Sequence, residues 1–150
     1  MPSPPGRVMM RPELTEILAR HGVTFHGLGF DPRADVARAD WRACAAELRA
    51  AGARFFDITA IDRGEAVEMI LVLVDPPAMQ FEIRTSCPNE DLRADSLSGV
   101  FPPAEWGERE VFDLFGVVFD GNPDMTRILQ PESSTIFPLR RSFILEERPW

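Results

Sequence analysis

Three carboxylates stand close together in one short stretch of the sequence, Glu108, Glu110 and Asp113, with Arg109 among them. Paired carboxylates can serve as the general acid and the general base of an active site. No histidine, cysteine or metal-ligand cluster accompanies them in the sequence. We therefore interpret the stretch as an exposed or interface face of a helix, balanced in charge by Arg109, rather than as an active site.

The other residues with nucleophilic, acid–base or metal chemistry are scattered. His21 is predicted at the C-terminus of a helix, where a cation is favoured, and His26 in a strand. Cys44 and Cys87 each lack a second ligand nearby, which excludes a self-contained iron–sulfur cluster or structural zinc site. We expect both thiols to stay reduced and buried as small apolar groups.

The helix that positions the carboxylates is predicted to begin at Pro102 or Pro103 and to end at Gly116. Proline is tolerated in the first turn of a helix, and glycine is favoured just past its end. One side of this helix carries a charged stripe at four-residue spacing, namely Glu105, Arg109 and Asp113. The other side is predicted to pack inward through Val111, Leu114 and Phe115.

The segment after this helix has the composition of a docking surface. Its backbone is stiffened by Pro123, Pro131 and Pro138. Its permanent positive charges are Arg127, Arg140 and Arg141. A rigid, irregular segment that is rich in arginine and apolar groups favours contact with another protein over a solvated tail.

Upstream, the pattern predicts two helices and several strands. The helices are Pro12–His21 and a second one that is capped by Asp40 and closed by Gly52, with a weak strand over Val23–Phe30 between them. Three strands then follow closely: Arg54–Ile61, Val67–Val74 and Met79–Arg84. The second is apolar on both faces, as in a central strand, and the third alternates apolar and polar residues, which predicts one wet face. The aromatic residues assigned to the core are Trp41, Phe55 and Phe56. This order predicts a two-layer α+β fold, with helices packed on a mixed or mostly antiparallel sheet and an extended C-terminal docking segment.

Composition limits the classes of partner. The formal net charge of −8 argues against nucleic acid, because phosphate contacts need a basic surface. No apolar run approaches the roughly 20 residues that span a bilayer, and Met1–Met10 lacks an apolar signal segment. We expect a cytoplasmic protein without a membrane span, with a disordered tail over residues 1–11 and one domain over residues 12–150.

The residues around the third helix match a family signature in order and spacing. They are Glu108, Arg109, Glu110, Asp113, Leu114, Phe115, Gly116, Phe119, Gly121, Pro123, Asp124, Arg127, Ile128, Leu129, Pro138, Leu139 and Arg140, preceded by Phe101, Pro102, Ala104 and Trp106. The run resembles the C-type or 30 kDa subunit family of respiratory complex I, the NADH:quinone oxidoreductase. The sequence departs from that pattern at Asn122, where the family usually has histidine, and at Thr126, where it usually has a basic residue.

The resemblance implies a non-catalytic assembly subunit in the hydrophilic arm, peripheral to the inner face of the cell membrane. It implies docking on the large D-type subunit near the quinone-reducing module, in a hetero-oligomer with iron–sulfur subunits. This chain would carry no cofactor, whereas Fe–S clusters and flavin or Ni–Fe would belong to partner subunits. The predicted interface residues are Glu108, Arg109, Glu110, Asp113, Phe115, Gly116, Pro123, Asp124, Arg127, Pro138, Leu139, Arg140 and Arg141.

Two alternatives stay open from the sequence. The same scaffold resembles subunits of membrane-bound energy-converting [NiFe] hydrogenase and formate hydrogenlyase complexes. A free-standing enzyme that uses Glu108, Glu110 or Asp113 is the other alternative.

Overall fold

The structure, a computed structural model, describes residues 10–22, 25–26, 32–77 and 79–146. Its α-helices are α1, Pro12–Arg20, α2, Trp41–Ala50, and α3, Ala104–Phe115, with a short 3₁₀ helix at Arg38–Asp40. Its strands are β1, Phe25–His26, β2, Arg33–Asp35, β3, Arg54–Asp62, β4, Ala66–Asp75, β5, Met79–Pro88, β6, Arg93–Asp95, and β7, Val118–Asp120.

The predicted meander forms three adjacent strands of a five-stranded sheet whose order is β1-β2-β5-β4-β3, with β3 at one edge. Strands β3, β4 and β5 pair antiparallel in sequence order, β2 joins β5 in parallel, and β1 pairs antiparallel with β2. Strands β6 and β7 make a separate two-stranded parallel sheet. The α+β class with a mixed, mostly antiparallel sheet is therefore confirmed.

The two faces of the large sheet differ in burial. One face contributes Ile58, Leu71 and Ile83 to the core, where α1 and α2 add Leu14, Leu18, Trp41 and Leu48. On the opposite face Gln80, Glu82 and Arg84 of β5 alternate with the buried residues, which confirms the one wet face predicted for this strand. Strand β4 lies between two neighbours and, apart from Glu68 on its outer face and the terminal Asp75, carries apolar residues on both faces, as the sequence predicted.

Helix α3 packs against β3 at close range because residue 107 has no side chain. A Cβ at Gly107 would overlap Ile58 Cγ2 and would lie 3.3 Å from the Ile58 carbonyl oxygen. The helix ends at Gly116, whose φ of +84° is the left-handed conformation that glycine adopts without strain. The predicted end is confirmed, and the observed start at Ala104 is one residue after Pro103.

Three sequence-based expectations are corrected or concern residues outside the described ranges. Phe56 is 60% exposed rather than in the core, because the β3–β4 register shifts between Phe55 and Asp57 and leaves Phe56 as the unpaired residue of a bulge. Of the strand expected over Val23–Phe30, only β1 belongs to the described residues. The predicted tail also lies outside them, except for Met10 and Arg11, whose backbone N–H donates to Asp75.

Cys44 and Cys87 are both free and fully buried, as predicted. Burial, together with a smaller effect of the nearby carboxylates of Glu47 and Asp40, raises the pKa of the Cys44 thiol to about 12. Burial also raises the pKa of the Cys87 thiol, against the opposing effect of Arg38.

Candidate subunit interface

The C-terminal segment, residues 121–146, depends on side chains of α3 for much of its hydrogen bonding. Along its whole length it forms turns and bends rather than helix or strand. An irregular backbone still needs partners for its N–H and C=O groups wherever it leaves water. Asp113 and Arg109 supply several of them, and Glu108 bonds to the side chain of Asn122.

Asp113 is fully buried and organises the turn at residues 127–130. Its Oδ2 accepts hydrogen bonds from the backbone N–H groups of Ile128, Leu129 and Gln130 at 3.1, 2.7 and 2.9 Å. Its Oδ1 accepts one from Arg127 Nη1 at 2.7 Å. One carboxylate thus fixes four consecutive residues of a segment that has no secondary structure.

These donors also set the protonation of Asp113. Burial would raise the pKa of its carboxyl, but the hydrogen bonds from Arg127 and the three backbone N–H groups outweigh burial and hold the pKa at about 2. The Arg127 guanidinium lies 5.0 Å from the centre of the Phe137 ring and 5.9 Å from that of Phe112. Asp113 and Arg127 therefore form a charged pair, and the guanidinium of this pair packs against two aromatic rings of the same chain.

Glu108 is equally buried but has a different set of partners. Its carboxylate accepts hydrogen bonds from Ser96 Oγ at 2.7 Å, from the Leu97 backbone N–H at 2.5 Å and from Asn122 Nδ2 at 2.8 Å. No cation pairs with it among the described residues. Burial raises the pKa of the Glu108 carboxyl, and the three hydrogen bonds counteract this only in part. Asn122, a departure from the family pattern, is thus one of its donors.

Arg109 makes its side-chain hydrogen bonds and its ion pair with the C-terminal segment, not with the charged residues of α3 that were predicted to form a stripe with it. Its Nε donates to the Thr126 carbonyl at 3.2 Å, and its Nη2 donates to Thr126 Oγ1 at 2.9 Å. Its Nη1 lies 3.5 Å from Asp124 Oδ2, and its guanidinium lies 4.7 Å from the centre of the Trp106 ring. The predicted stripe is corrected accordingly: within the described residues, neither Arg109 nor Asp113 pairs with a charge on its own helix.

The end of β3 anchors the later part of the segment. Asp62 Oδ2 accepts hydrogen bonds from Arg140 Nε at 2.9 Å and from the Arg141 backbone N–H at 2.8 Å. Burial would raise the pKa of the Asp62 carboxyl, but these bonds and one from the Gly64 N–H lower it below its ordinary value. The Leu139 backbone N–H donates to the Leu114 carbonyl at 3.1 Å, which holds the segment against the end of α3.

The structure divides the thirteen predicted interface residues into two groups. Those that are buried or bonded inside the chain are Glu108, Arg109, Asp113, Phe115, Gly116, Arg127 and Arg140. Those whose side chains are exposed or half-exposed are Glu110, Pro123, Asp124, Pro138, Leu139 and Arg141, although Asp124 also pairs with Arg109. Contact of either group with another subunit stays a prediction.

The three carboxylates are not brought to one site, since Glu108 and Asp113 are buried among different donors and Glu110 is exposed.

The predicted interface residues leave out several exposed apolar side chains, although the apolar character of the C-terminal segment was recognised from the sequence. Trp106 on α3 is 59% exposed and Leu129 is 65% exposed. Ile136, Ile144 and Leu145 of the C-terminal segment are exposed as well. A signal existed for Trp106, because an aromatic residue four positions before Glu110 lies on the helix face that carries the charges. The outward direction of Leu129 depends on Asp113, which no local pattern indicates.

Fold and site together define an α+β scaffold domain, in which buried carboxylates shape an irregular segment and leave apolar groups exposed. The family model described as the 30 kDa subunit of respiratory-chain NADH dehydrogenase matches residues 34–149. The chain belongs to this family, and the resemblance seen in the sequence is confirmed.

The relatives carry consistent names. Subunit 5 of the NADH-quinone oxidoreductase of Thermus thermophilus is 36% identical over 118 residues, which cover 69% of this chain and 57% of that protein. The C-type subunit of the same enzyme from Chloroherpeton thalassium is 32% identical over 114 residues, 71% of this chain and 48% of that protein. The chain thus spans about half the length of these relatives.

Two solved structures share the fold. A trypsin-resistant fragment (1–134) of Nqo5 superposes with a TM-score of 0.66 at 29% identity, over 74% of this chain and 96% of that one. A chain of the archaeal membrane-bound sulfane sulfur reductase superposes with a TM-score of 0.77 at 22% identity, over 88% and 84%. This second likeness concerns the fold alone. Among the described residues, none of the helices has the length and apolar character to cross a membrane.

Proposed function

We propose that this chain is a non-catalytic docking subunit in the hydrophilic arm of a complex I-type NADH:quinone oxidoreductase, and that it binds the large D-type subunit. The observation that carries the proposal is the family match over residues 34–149. The proposal assigns the chain to the cytoplasmic side of the membrane, where it would hold the quinone-reducing module together.

The surface around α3 supports a docking role. Trp106, Leu129 and Leu139 expose large apolar side chains along one helix and the segment bonded to it. The backbone beneath Leu129 is fixed by Asp113, so these groups are presented without a further cost of ordering the turn. Rigid, exposed aromatic and apolar groups are the usual anchors of a protein interface.

The proposal places electron transfer in neighbouring subunits. We expect no cofactor in this chain, with iron–sulfur clusters and flavin held by its partners. The alternative parent is a membrane-bound energy-converting [NiFe] hydrogenase or formate hydrogenlyase complex, whose large subunit would bind nickel and which would lack the NADH-binding flavoprotein.

The test is affinity purification of the tagged full chain from its native host in mild detergent, followed by mass spectrometry and metal analysis. The decisive variant is Leu129→Asp, which places a charge on the proposed surface. Its matched control is Phe56→Asp, because Phe56 has a similar exposure but lies at the bulge of β3.

We expect a D-type subunit and iron–sulfur subunits to co-purify with the wild type and with Phe56→Asp, but not with Leu129→Asp. Flavoprotein in the complex would support the NADH-linked parent, whereas nickel would support the hydrogenase-type parent. A wild-type chain that purifies alone would overturn the proposal. Turnover by that chain, abolished by Glu110→Gln, would then revive the free-standing enzyme.

A further inference from the structure

Glu110 differs from the two carboxylates that flank it on α3. Glu108 and Asp113 are buried, and donors of this chain satisfy both. Glu110 is exposed, and within the described residues its carboxylate accepts no hydrogen bond and joins no ion pair. Its charge therefore remains available to something outside this chain.

The surroundings of Glu110 are apolar and rigid. Trp106 lies one helical turn before it on the same face and is stacked on Arg109. On the other side, Asp113 is three residues further along α3 and holds the backbone of Ile128 and Leu129, whose side chains are exposed. We call this surface, formed by Trp106, Glu110, Ile128 and Leu129, the α3 face.

The arginines nearest to the α3 face are already engaged. The Arg109 guanidinium bonds to Thr126, lies beside Asp124 and stacks on Trp106. Arg127 is only 7% exposed at its side chain and is bonded to Asp113. Neither can turn to Glu110 without breaking the contacts that shape the segment.

A protein that covers the α3 face would remove the Glu110 carboxylate from water. Burial of an unpaired charge is strongly unfavourable, so a stable contact requires a cation opposite it. We propose that the partner presents an arginine or lysine to Glu110, surrounded by apolar groups that pack on Trp106 and Leu129. This inference rests on the proposed docking function and adds the chemistry of the partner surface.

The test is competitive incorporation in the native host. Wild-type and variant chains with different tags are co-expressed, the complex is purified through another subunit, and the ratio of the two chains in it is divided by their ratio in the lysate. Glu110→Leu is the main variant, because it keeps the side chain large while removing its charge. Glu16→Leu, at an exposed glutamate on α1, is the matched control.

We expect Glu110→Leu to reduce incorporation at least about thirtyfold, because it leaves a partner cation buried without its counter-ion. We expect Glu16→Leu to incorporate as well as the wild type. Thermal unfolding of the purified full chains should give the same Tm for both variants as for the wild type.

The outcomes separate this inference from the function on which it rests. If the wild-type chain joins no complex, the docking function fails. If the wild type assembles and Glu110→Leu incorporates equally well or better, no cation faces Glu110 and the inference is overturned. Better incorporation would mean that the partner surface opposite residue 110 is apolar.

Discussion

Two carboxylates on one helix, both excluded from water, are stabilised in opposite ways. Asp113 has an arginine and three backbone N–H groups, and its pKa falls to about 2. Glu108 has a serine, an asparagine and one backbone N–H group, and its pKa rises. Depth of burial alone therefore does not predict the ionisation of a buried acid, because the charge and number of its donors decide it.

The difference corresponds to two structural tasks. Glu108 joins Ser96 and Leu97, which precede α3, to Asn122, which follows β7. Asp113 shapes the C-terminal segment and sets the direction of Leu129. The network of uncharged donors around Glu108 thus fixes α3 within the domain, whereas the network that contains Arg127 builds the surface that we assign to docking.

The largest expected effect is that of Asp113→Ala. Removing this carboxylate leaves Arg127 buried without a counter-ion and three N–H groups without an acceptor, so we expect a loss of about 3–5 kcal/mol in the free energy of unfolding. Urea denaturation measures it. Glu110→Ala, at an exposed position on the same helix, should change stability by less than about 0.5 kcal/mol. Equal effects of the two variants would contradict the role given to Asp113.

Glu108→Ala should destabilise the chain by less. Its three donors are neutral, so their unmet hydrogen bonds cost about 1–3 kcal/mol, and loss of a desolvated carboxylate offsets part of that. The same urea experiment, run beside Asp113→Ala, gives the order of the two variants. A greater loss of stability for Glu108→Ala than for Asp113→Ala would contradict the difference described between the two carboxylates.

Acid should affect the two sites with opposite sign. The pKa of Asp113 is lower in the folded chain, so its stabilisation, about 2 kcal/mol, is fully present above pH 4 and is lost as the pH falls toward 2. The pKa of Glu108 is higher in the folded chain, so its contribution declines as the pH rises above about 4.5.

These slopes can be separated by urea unfolding at intervals from pH 7 to pH 2. The stability advantage of the wild type over Asp113→Asn should shrink with acid. The stability of the wild type relative to Glu108→Gln should instead improve between pH 7 and pH 4.5. If the stability difference from the wild type changed with pH in the same direction for Asp113→Asn and Glu108→Gln, the opposite pKa shifts of the two carboxyls would be disproved.

Arg127→Lys is expected to have the smallest effect. Lysine preserves the positive charge beside Asp113, but it lacks the planar group that lies against Phe112 and Phe137. We expect a loss of about 1 kcal/mol in the free energy of unfolding, measured by urea denaturation. A loss as large as that of Asp113→Ala would show that packing, rather than charge, holds the turn at residues 127–130.

Much of the fold was predictable because its long elements have a clear period. The meander strands and all three helices were assigned from hydrophobic spacing, prolines and glycines. Apart from β1, which lies within the strand predicted over Val23–Phe30, the short elements were not. The tripeptide Arg-Ala-Asp forms strand β2 at Arg33–Asp35, a 3₁₀ helix at Arg38–Asp40 and strand β6 at Arg93–Asp95. Three identical sequences with two different structures show that tertiary pairing, here with β5 and β7, determines these elements.

The candidate site was predictable in its location but not in its bonding. Helical spacing placed Arg109 and Asp113 on one side of α3, and the structure confirms that both belong to this helix. Their partners, Thr126 and Arg127, follow in the irregular segment, where the sequence offers no period from which to predict a contact. Whether a charged residue is solvated or buried by such a segment is decided by those long-range contacts.

The burial of Cys44 and Cys87 makes this chain convenient for spectroscopy. A thiol reacts through its thiolate, and both native thiols are shielded and have raised pKa values. A single cysteine introduced at an exposed position such as residue 110 would therefore take up a maleimide fluorophore or a nitroxide spin label selectively. The wild-type background can thus report distances and accessibility at the α3 face without first removing a native cysteine.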